Sequence, residues 1–271
     1  MKSKAAAAPH IVWSAIFIVI PMVLVLFFAF TDKSGTFTLD NLIRVGDYSS
    51  VFLRSIWLGV IATAICLLLG YPLASIVSHI APRRQSVFIM LIMLPMWMNF
   101  LLRTYAWMTI LENNGLINHF LGLFGIGPFT MINTQGAVVL GMVYNFLPYM
   151  ILPIYSVMTK IDHRVVEAAQ DLGASRRQVF WRVTLPLSMP GVISGITMVF
   201  VPAVSTFIIS KMLGGGANLL IGDLIDMQFL GSAYNPNLGS AISLVLMVLI
   251  LICMGIMNQF DEGEETGGIM P

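Results

Sequence analysis

No charged side chain stands between His10 and Asp32. An apolar stretch of that length matches the hydrocarbon core of a bilayer, about 30 Å crossed at about 1.5 Å per helical residue. Five further stretches of the same kind follow, giving spans at 11–30, 55–80, 86–102, 135–159, 189–210 and 238–257. The third is followed by a still mostly apolar segment, Thr104 to Leu111. Inside hydrocarbon the backbone satisfies its own hydrogen bonds only as a helix or a closed barrel, and runs of about 20 apolar residues select the helix. The chain therefore reads as an all-α polytopic membrane protein of six transmembrane helices. Composition agrees: 58% of the 271 residues are hydrophobic and 10% are charged, against about 25% charged in soluble domains. A soluble enzyme and a disordered chain are both excluded.

The first span has a basic start at Lys2 and Lys4, as a secretory signal would. Its far end is bulky, Phe27-Phe28-Ala29-Phe30, where cleavage needs small residues, so the span is expected to stay as a membrane helix. Lys and Arg set the orientation. With the N-terminus inside, Lys2, Lys4, Arg83, Arg84, Lys160, Arg164, Arg176, Arg177 and Arg182 lie on the cytoplasmic side. Lys33, Arg44, Arg54, Arg103 and Lys211 lie outside. Both termini are then cytoplasmic, with the chain expected in the cytoplasmic (inner) cell membrane. The domain division is a six-helix unit over 1–260, with a long inner loop at 160–187, and an acidic, glycine-rich tail at 261–271 expected to be disordered. The balance of 14 Lys+Arg against 13 Asp+Glu leaves no basic footprint for nucleic acid. Cys66 and Cys253 lie in apolar runs, and no Cys/His cluster offers a metal site.

The inner loop carries the most organised local chemistry. Asp162 can cap a helix start. Val165, Ala168, Ala169 and Leu172 recur at helical spacing and form one small-residue stripe, with Glu167, Gln170 and Asp171 on the other face. Gly173 stands where a helix ends at positive φ, and Ser175-Arg176-Arg177-Gln178 reads as a capping box opening a second helix, which Leu185-Pro186 is expected to end. A mere connection needs about 2–8 residues. An alanine-rich stripe favours docking against a protein surface, whereas a helix lying in the membrane surface would carry aromatics.

Glu167-Ala168-Ala169, then three residues, Gly173, nine residues, and Val183-Thr184-Leu185-Pro186 resembles the EAA signature of permease subunits of binding-protein-dependent ABC importers, with Val183 in place of the usual Ile. The resemblance covers nearly the whole chain. Phe37-Thr38-Leu39-Asp40-Asn41, Gly70-Tyr71-Pro72, Leu94-Pro95-Met96-Trp97 with Asn99 and Arg103, and the stretch Leu213 to Gly222 with Gln228-Phe229-Leu230 resemble the first permease subunit of spermidine/putrescine importers. Permeases for sulfate, ferric iron or phosphonates share the coupling loop. The resemblance implies an ABC type I importer fold and a loop that docks on a cytoplasmic ATPase through Glu167, Ala168, Ala169, Leu172 and Gly173, with Arg176, Arg177, Leu185 and Pro186 beside them. It also implies two ATPase copies holding ATP-Mg, a second permease subunit and an extracytoplasmic polyamine-binding protein. No G-x-x-x-x-G-K-[ST] loop occurs, so this chain binds no cofactor and is no enzyme in itself.

A polycation needs carboxylates and aromatic faces. Candidates along a path are Trp97, Tyr105, Trp107, Glu112, Tyr144, Tyr149 and Tyr155, with Asp223 and Asp226 near the outer end of the sixth span. Trp and Tyr also gather at membrane interfaces, and the two aspartates fit solvated loop charges equally well. Glu112 would count if it sits at membrane depth. Asn99 and Asn145 read as polar residues bonding across helices. A secondary transporter would show repeats or paired intramembrane acids, and a membrane enzyme a motif such as H-E-x-x-H; His79 and His163 are isolated. Gly214-Gly215-Gly216 lacks the lysine of a phosphate loop and reads as a flexible or closely packed turn.

Overall fold

The computed structural model describes residues 8–216, 218–231 and 233–265. Among these, regular structure is entirely helical apart from an isolated bridge between Thr31 and Phe37. The helices are α1 (Pro9–Ala29), α2 (Asp40–Val45), α3 (Ser49–Ser78), α4 (Pro82–Trp97), α5 (Phe100–Leu111), α6 (Leu116–Gly122), α7 (Gln135–Met158), α8 (His163–Asp171), α9 (Arg176–Ser205), α10 (Ile208–Leu213), α11 (Ile221–Phe229) and α12 (Pro236–Glu265). Five paths are long and apolar enough to cross a membrane, or six with a bent pair counted as one span. The all-α, polytopic expectation holds.

Two span boundaries differ from the hydropathy reading. The third span, 86–102, is not one helix: α4 stops at Trp97 and the following helical segment leaves at 86°. Met98 is extended, and the Asn99 side chain accepts hydrogen bonds from the amides of Leu101 (2.9 Å) and Leu102 (3.3 Å). Asn99 is thus an N-cap that restarts the helix in a new direction, not a bond between helices. The fifth span, 189–210, ends at Ser205, and α10 is a separate short helix. At the C-terminus α12 runs to Glu265, five residues into the tail assigned from 261; residues 266–271 lie outside the described residues.

The core is a triple contact of α3, α7 and α9. Leu58, Ala62 and Cys66 of α3, Met142, Met150 and Ile154 of α7, and Val199 and Ala203 of α9 are buried together. Lipid is as apolar as these side chains, so removal from water supplies little drive for helices to associate within the bilayer. Close contact must supply it. Gly191 and Gly195, one turn apart on α9, lie against α7: a Cβ at Gly191 would stand 2.9 Å from the Pro153 carbonyl oxygen and 3.0 Å from the Ile154 Cα. One at Gly195 would stand 2.8 Å from the Met150 sulfur. Serine and threonine hydroxyls in the helices return their proton to the carbonyl three or four residues back, as Ser188 does to Leu185 (3.0 Å) and Thr63 to Gly59 (2.7 Å).

A second cluster joins the end of α1, α11 and α12 to the N-terminal part of α3 and the C-terminal part of α9. The last carbonyls of α1 find no partner within their own helix. Two asparagine amides take over: Asn41 Nδ2 donates to Thr31 O (2.8 Å), and Asn237 Nδ2 donates to Thr31 O (2.7 Å) and Phe28 O (3.2 Å). These bonds anchor α1 to α12, although most of α1 is exposed.

Gly191→Ala is expected to lower the thermal midpoint of the detergent-solubilised protein, because an added methyl meets backbone atoms and overpacking costs about 1–3 kcal/mol. Gly255→Ala, where a Cβ meets open space, serves as the reference and should not lower the midpoint, since alanine without a clash favours the helix. Equal midpoints would contradict the close α7–α9 contact.

Candidate functional site

The inner loop folds as its local signals require. The Asp162 carboxylate accepts from the Arg164 amide (3.0 Å) and opens α8. The helix closes in a Schellman motif: Gly173, at φ +84°, donates to Gln170 O (2.8 Å) and Ala174 donates to Ala169 O (3.1 Å). Ser175 and Gln178 form the capping box, with Ser175 N donating to Gln178 Oε1 (2.8 Å) and Gln178 N to Ser175 Oγ (3.4 Å). The small-residue stripe is not used inside the chain. Leu172 is 90% exposed and Val165 47%, Ala168 is exposed and Ala169 half-buried. Glu167, Arg176 and Arg177 are exposed beside them.

The expected stop at Leu185-Pro186 is absent. Arg176–Ser205 is one helical path of 30 residues. Pro186 has no amide proton, and its ring crowds the carbonyl four residues back. The chain absorbs this by widening to a π turn over Phe180–Thr184, where the Leu185 amide donates to Phe180 O, five residues back. Leu185 is half-buried and Pro186 exposed. The Phe180 ring meets Tyr71 of α3 edge-on at 5.8 Å, and the Tyr71 and Ser188 hydroxyls are 3.0 Å apart. The small-residue stripe of α8 is therefore joined, through the Gly173 turn, to the helix that forms the core contact at Gly191 and Gly195.

At the other end of α9 lies a small cavity of about 200 Å³ between α10 and α11, with Lys211, Asp223 and Asp226 among its lining residues. Gly222 permits it: a Cβ there would fall 2.5 Å from Ser205 O and 2.6 Å from Thr206 O, so only glycine lets α11 start against the end of α9. Gly215 (φ +61°) and Gly216 (φ +73°) make the preceding turn, which Asn218 holds by donating to Gly214 O (3.3 Å). The glycine run is thus a closely packed turn. Asp223, read as a candidate solvated charge, is 4% exposed. Its Oδ2 accepts from the Leu220 amide (2.8 Å), while Oδ1 is buried without a hydrogen-bond partner. Burial pushes this carboxyl above the ordinary aspartate range, against the pull of the Ser210 hydroxyl, the Leu220 amide and the Lys211 charge. Asp226 accepts from Lys211 Nζ at 3.0 Å.

The other candidates scatter. Tyr144 and Trp107 do meet, edge-on at 5.4 Å, in an apolar groove of about 690 Å³ between α3 and α7. Trp97 (73% exposed) ends α4, and Tyr105 is exposed on α5. Tyr149 packs against Phe146, and the Tyr155 hydroxyl donates to Gln85 (3.0 Å), tying α7 to α4. Glu112 caps the end of α5 and is exposed; it does not line the cavity. Asn145 donates to Gly141 in its own helix (2.8 Å), not across helices. Sequence reasoning missed Lys211 as the partner of Asp226, fifteen residues away, and the burial of Arg103, whose Nε and Nη1 lack partners. No local signal marks either.

Residues 84–263 match the family described as "Binding-protein-dependent transport system inner membrane component", a match that takes in the exposed stripe of α8, α9 and the cavity. The chain belongs to that family. It is 41% identical over 260 residues to the spermidine/putrescine transport system permease protein PotB of Haemophilus influenzae, covering 92% of this chain and 91% of that one. The PotB of Escherichia coli K12 is 37% identical over 255 residues, 90% and 91% of the two chains. Among solved structures, a bacterial ABC transporter that imports alginate superimposes with TM-score 0.77 at 19% identity, over 95% of this chain and 94% of that one. The MetNI methionine ABC transporter gives 0.60 at 15% identity, over 79% and 94%. The permease fold is thereby shown.

Gly173→Ala isolates the cost of positive φ, because a Cβ there meets open space. A cost of about 1–2 kcal/mol should speed amide exchange at Leu172 and Ala174 roughly tenfold, read by hydrogen–deuterium exchange. Unchanged exchange would contradict the Schellman closure.

Proposed function

We propose that this chain is a permease subunit of an ATP-driven importer that takes up spermidine and putrescine across the inner membrane. The observation that carries the reading is its 41% and 37% identity, over nine-tenths of both chains, to two spermidine/putrescine permeases. Identity to a molybdenum permease of Mycobacterium bovis is 28%. Substrate thus tracks the nearer relatives.

In this reading α8 enters a cleft on a cytoplasmic ATPase, with Val165, Ala168, Ala169 and Leu172 as the contact stripe. Glu167, Arg176 and Arg177 are the polar rim, and Leu185 and Pro186 sit at the π turn where docking meets the span. ATP-Mg is bound and hydrolysed on two copies of that ATPase, not on this chain. A second permease subunit completes the path, and an extracytoplasmic polyamine-binding protein delivers to it. Both termini face the cytoplasm, and the exposed apolar faces of α1 and α4 meet lipid. A polyamine carries ammonium groups separated by methylenes. Asp223 and Asp226 suit the first and the Trp107–Tyr144 groove the second, while Trp97, Tyr105 and Tyr149 are secondary candidates and Glu112 the weakest. Closure of the ATPases would move α8 and, through the unbroken α9, the outer cavity as one body.

Cells lacking the chain should recover labelled spermidine uptake when it is returned with its partner subunits, and putrescine should compete while sulfate and ferric ion should not. Glu167→Lys should reach the membrane in native amount yet lose at least nine-tenths of uptake. Full uptake by that variant would contradict the docking role, and no recovery of uptake by the native chain would contradict the substrate.

A further inference from the structure

We propose that the cavity between α10 and α11 receives a primary ammonium group, and that the Lys211 side chain occupies it beforehand as a tethered stand-in. The proposal rests on the polyamine reading above for the identity of the ligand, but its geometry is independent of it. Lys211 Nζ stands 3.0 Å from Asp226 Oδ2. A lysine side chain ends as an alkylamine does, in a methylene chain and an ammonium, so the contact already shows how such a group is held.

Three features separate this arrangement from an ordinary surface ion pair. First, the partners are unequal: the Lys211 side chain is 67% exposed and that of Asp226 18%. The cation can leave toward solvent while the carboxylate stays in place. Second, the cavity holds an acceptor that Lys211 does not satisfy. Asp223 lines it, is nine-tenths buried, and has Oδ1 free of any hydrogen-bond partner. A buried acceptor left unpaired is costly, and a ligand that brings donors relieves it. Third, the walls are preset. Leu220 N–H fixes Asp223 Oδ2, Gly222 seats α11 on the last carbonyls of α9, and Ser210 Oγ donates to Phe207 O (3.0 Å). Among the described residues no cluster of three His, Cys, Asp or Glu forms here, so a metal ion is the poorer fit.

A free amine entering the cavity bonds Asp223 Oδ1 and Asp226 and displaces Lys211. Apparent affinity for substrate is then set partly by an internal competitor, which also keeps Asp226 paired when no substrate is present.

Two measurements on the assembled transporter test this. In uptake kinetics, Lys211→Met should lower the KM for spermidine about threefold or more. Lys211→Arg should keep the native KM, and Asp226→Asn should raise it about tenfold, with maximal rate per permease in the membrane little changed. Native KM in both Lys211→Met and Asp226→Asn would overturn the proposal. In the second, lysines are reductively ¹³C-dimethylated and the Lys211 resonance is assigned by its loss in Lys211→Arg. Addition of n-butylamine or spermidine should move that resonance toward the free-lysine position. No movement at millimolar amine would overturn the proposal even if uptake is normal. Movement in a chain that fails to import spermidine would keep the ammonium site and reject the polyamine reading instead.

Discussion

The contact of Gly191 and Gly195 with α7 is the constraint on which the rest of the architecture depends. In lipid, helices gain from each other mainly through dispersion and hydrogen bonds, and both demand close approach. Glycines one turn apart on α9 bring its backbone onto Met150, Pro153 and Ile154, and Gly59 and Gly70 do the same for α3 against Val204 and Met150. Three helices are thereby held at distances where a single methyl matters. Outside them, α1 is attached by asparagines at its end and by packing of its second half on α12.

Because α9 sits in that core, whatever is attached to its ends is mechanically joined. At one end the π turn accommodates Pro186 without breaking the helix, so α8 and its exposed stripe pivot on a continuous rod about 45 Å long, 30 residues at about 1.5 Å each. At the other end Gly222 places α11 directly on the last carbonyls of the same rod. A partner that grips α8 and a ligand that enters beside Asp223 and Asp226 act on one body. For a membrane component of a binding-protein-dependent transport system, such a body can relate events on the two sides of the membrane without a chain of small side-chain shifts.

What the sequence disclosed and what it hid divide by range. The loop was legible as far as Gln178 because each of its signals there is local: Asp162 caps within two residues, Gly173 closes its own helix, and Ser175 reads Gln178. Hydropathy found the crossing segments for the same reason. It failed at Asn99, which looks identical in sequence whether it caps a helix or bonds across one, and at Pro186, where a widened turn replaces the expected stop. The cavity between α10 and α11 was invisible as a cavity. Asp223 is buried only because Gly222 lets α11 approach α9, and Asp226 meets Lys211 only because α10 and α11 fold back on each other. Those contacts are tertiary, and no spacing along the chain encodes them.

The central claim is that Arg176–Ser205, the helix to which α8 and its stripe are joined, is one rigid rod through the π turn. Spin labels at Arg177 and Met198, introduced after replacing Cys66 and Cys253 and both exposed to solvent or lipid, span the π turn at about 30 Å by helical rise. Their distance should be measured by pulsed electron resonance in the assembled transporter, with and without ATP. A single narrow distribution that nucleotide leaves unchanged is the predicted result. A second distance, or a shift of several ångströms on ATP binding, would show that the helix bends at the π turn and would contradict the account.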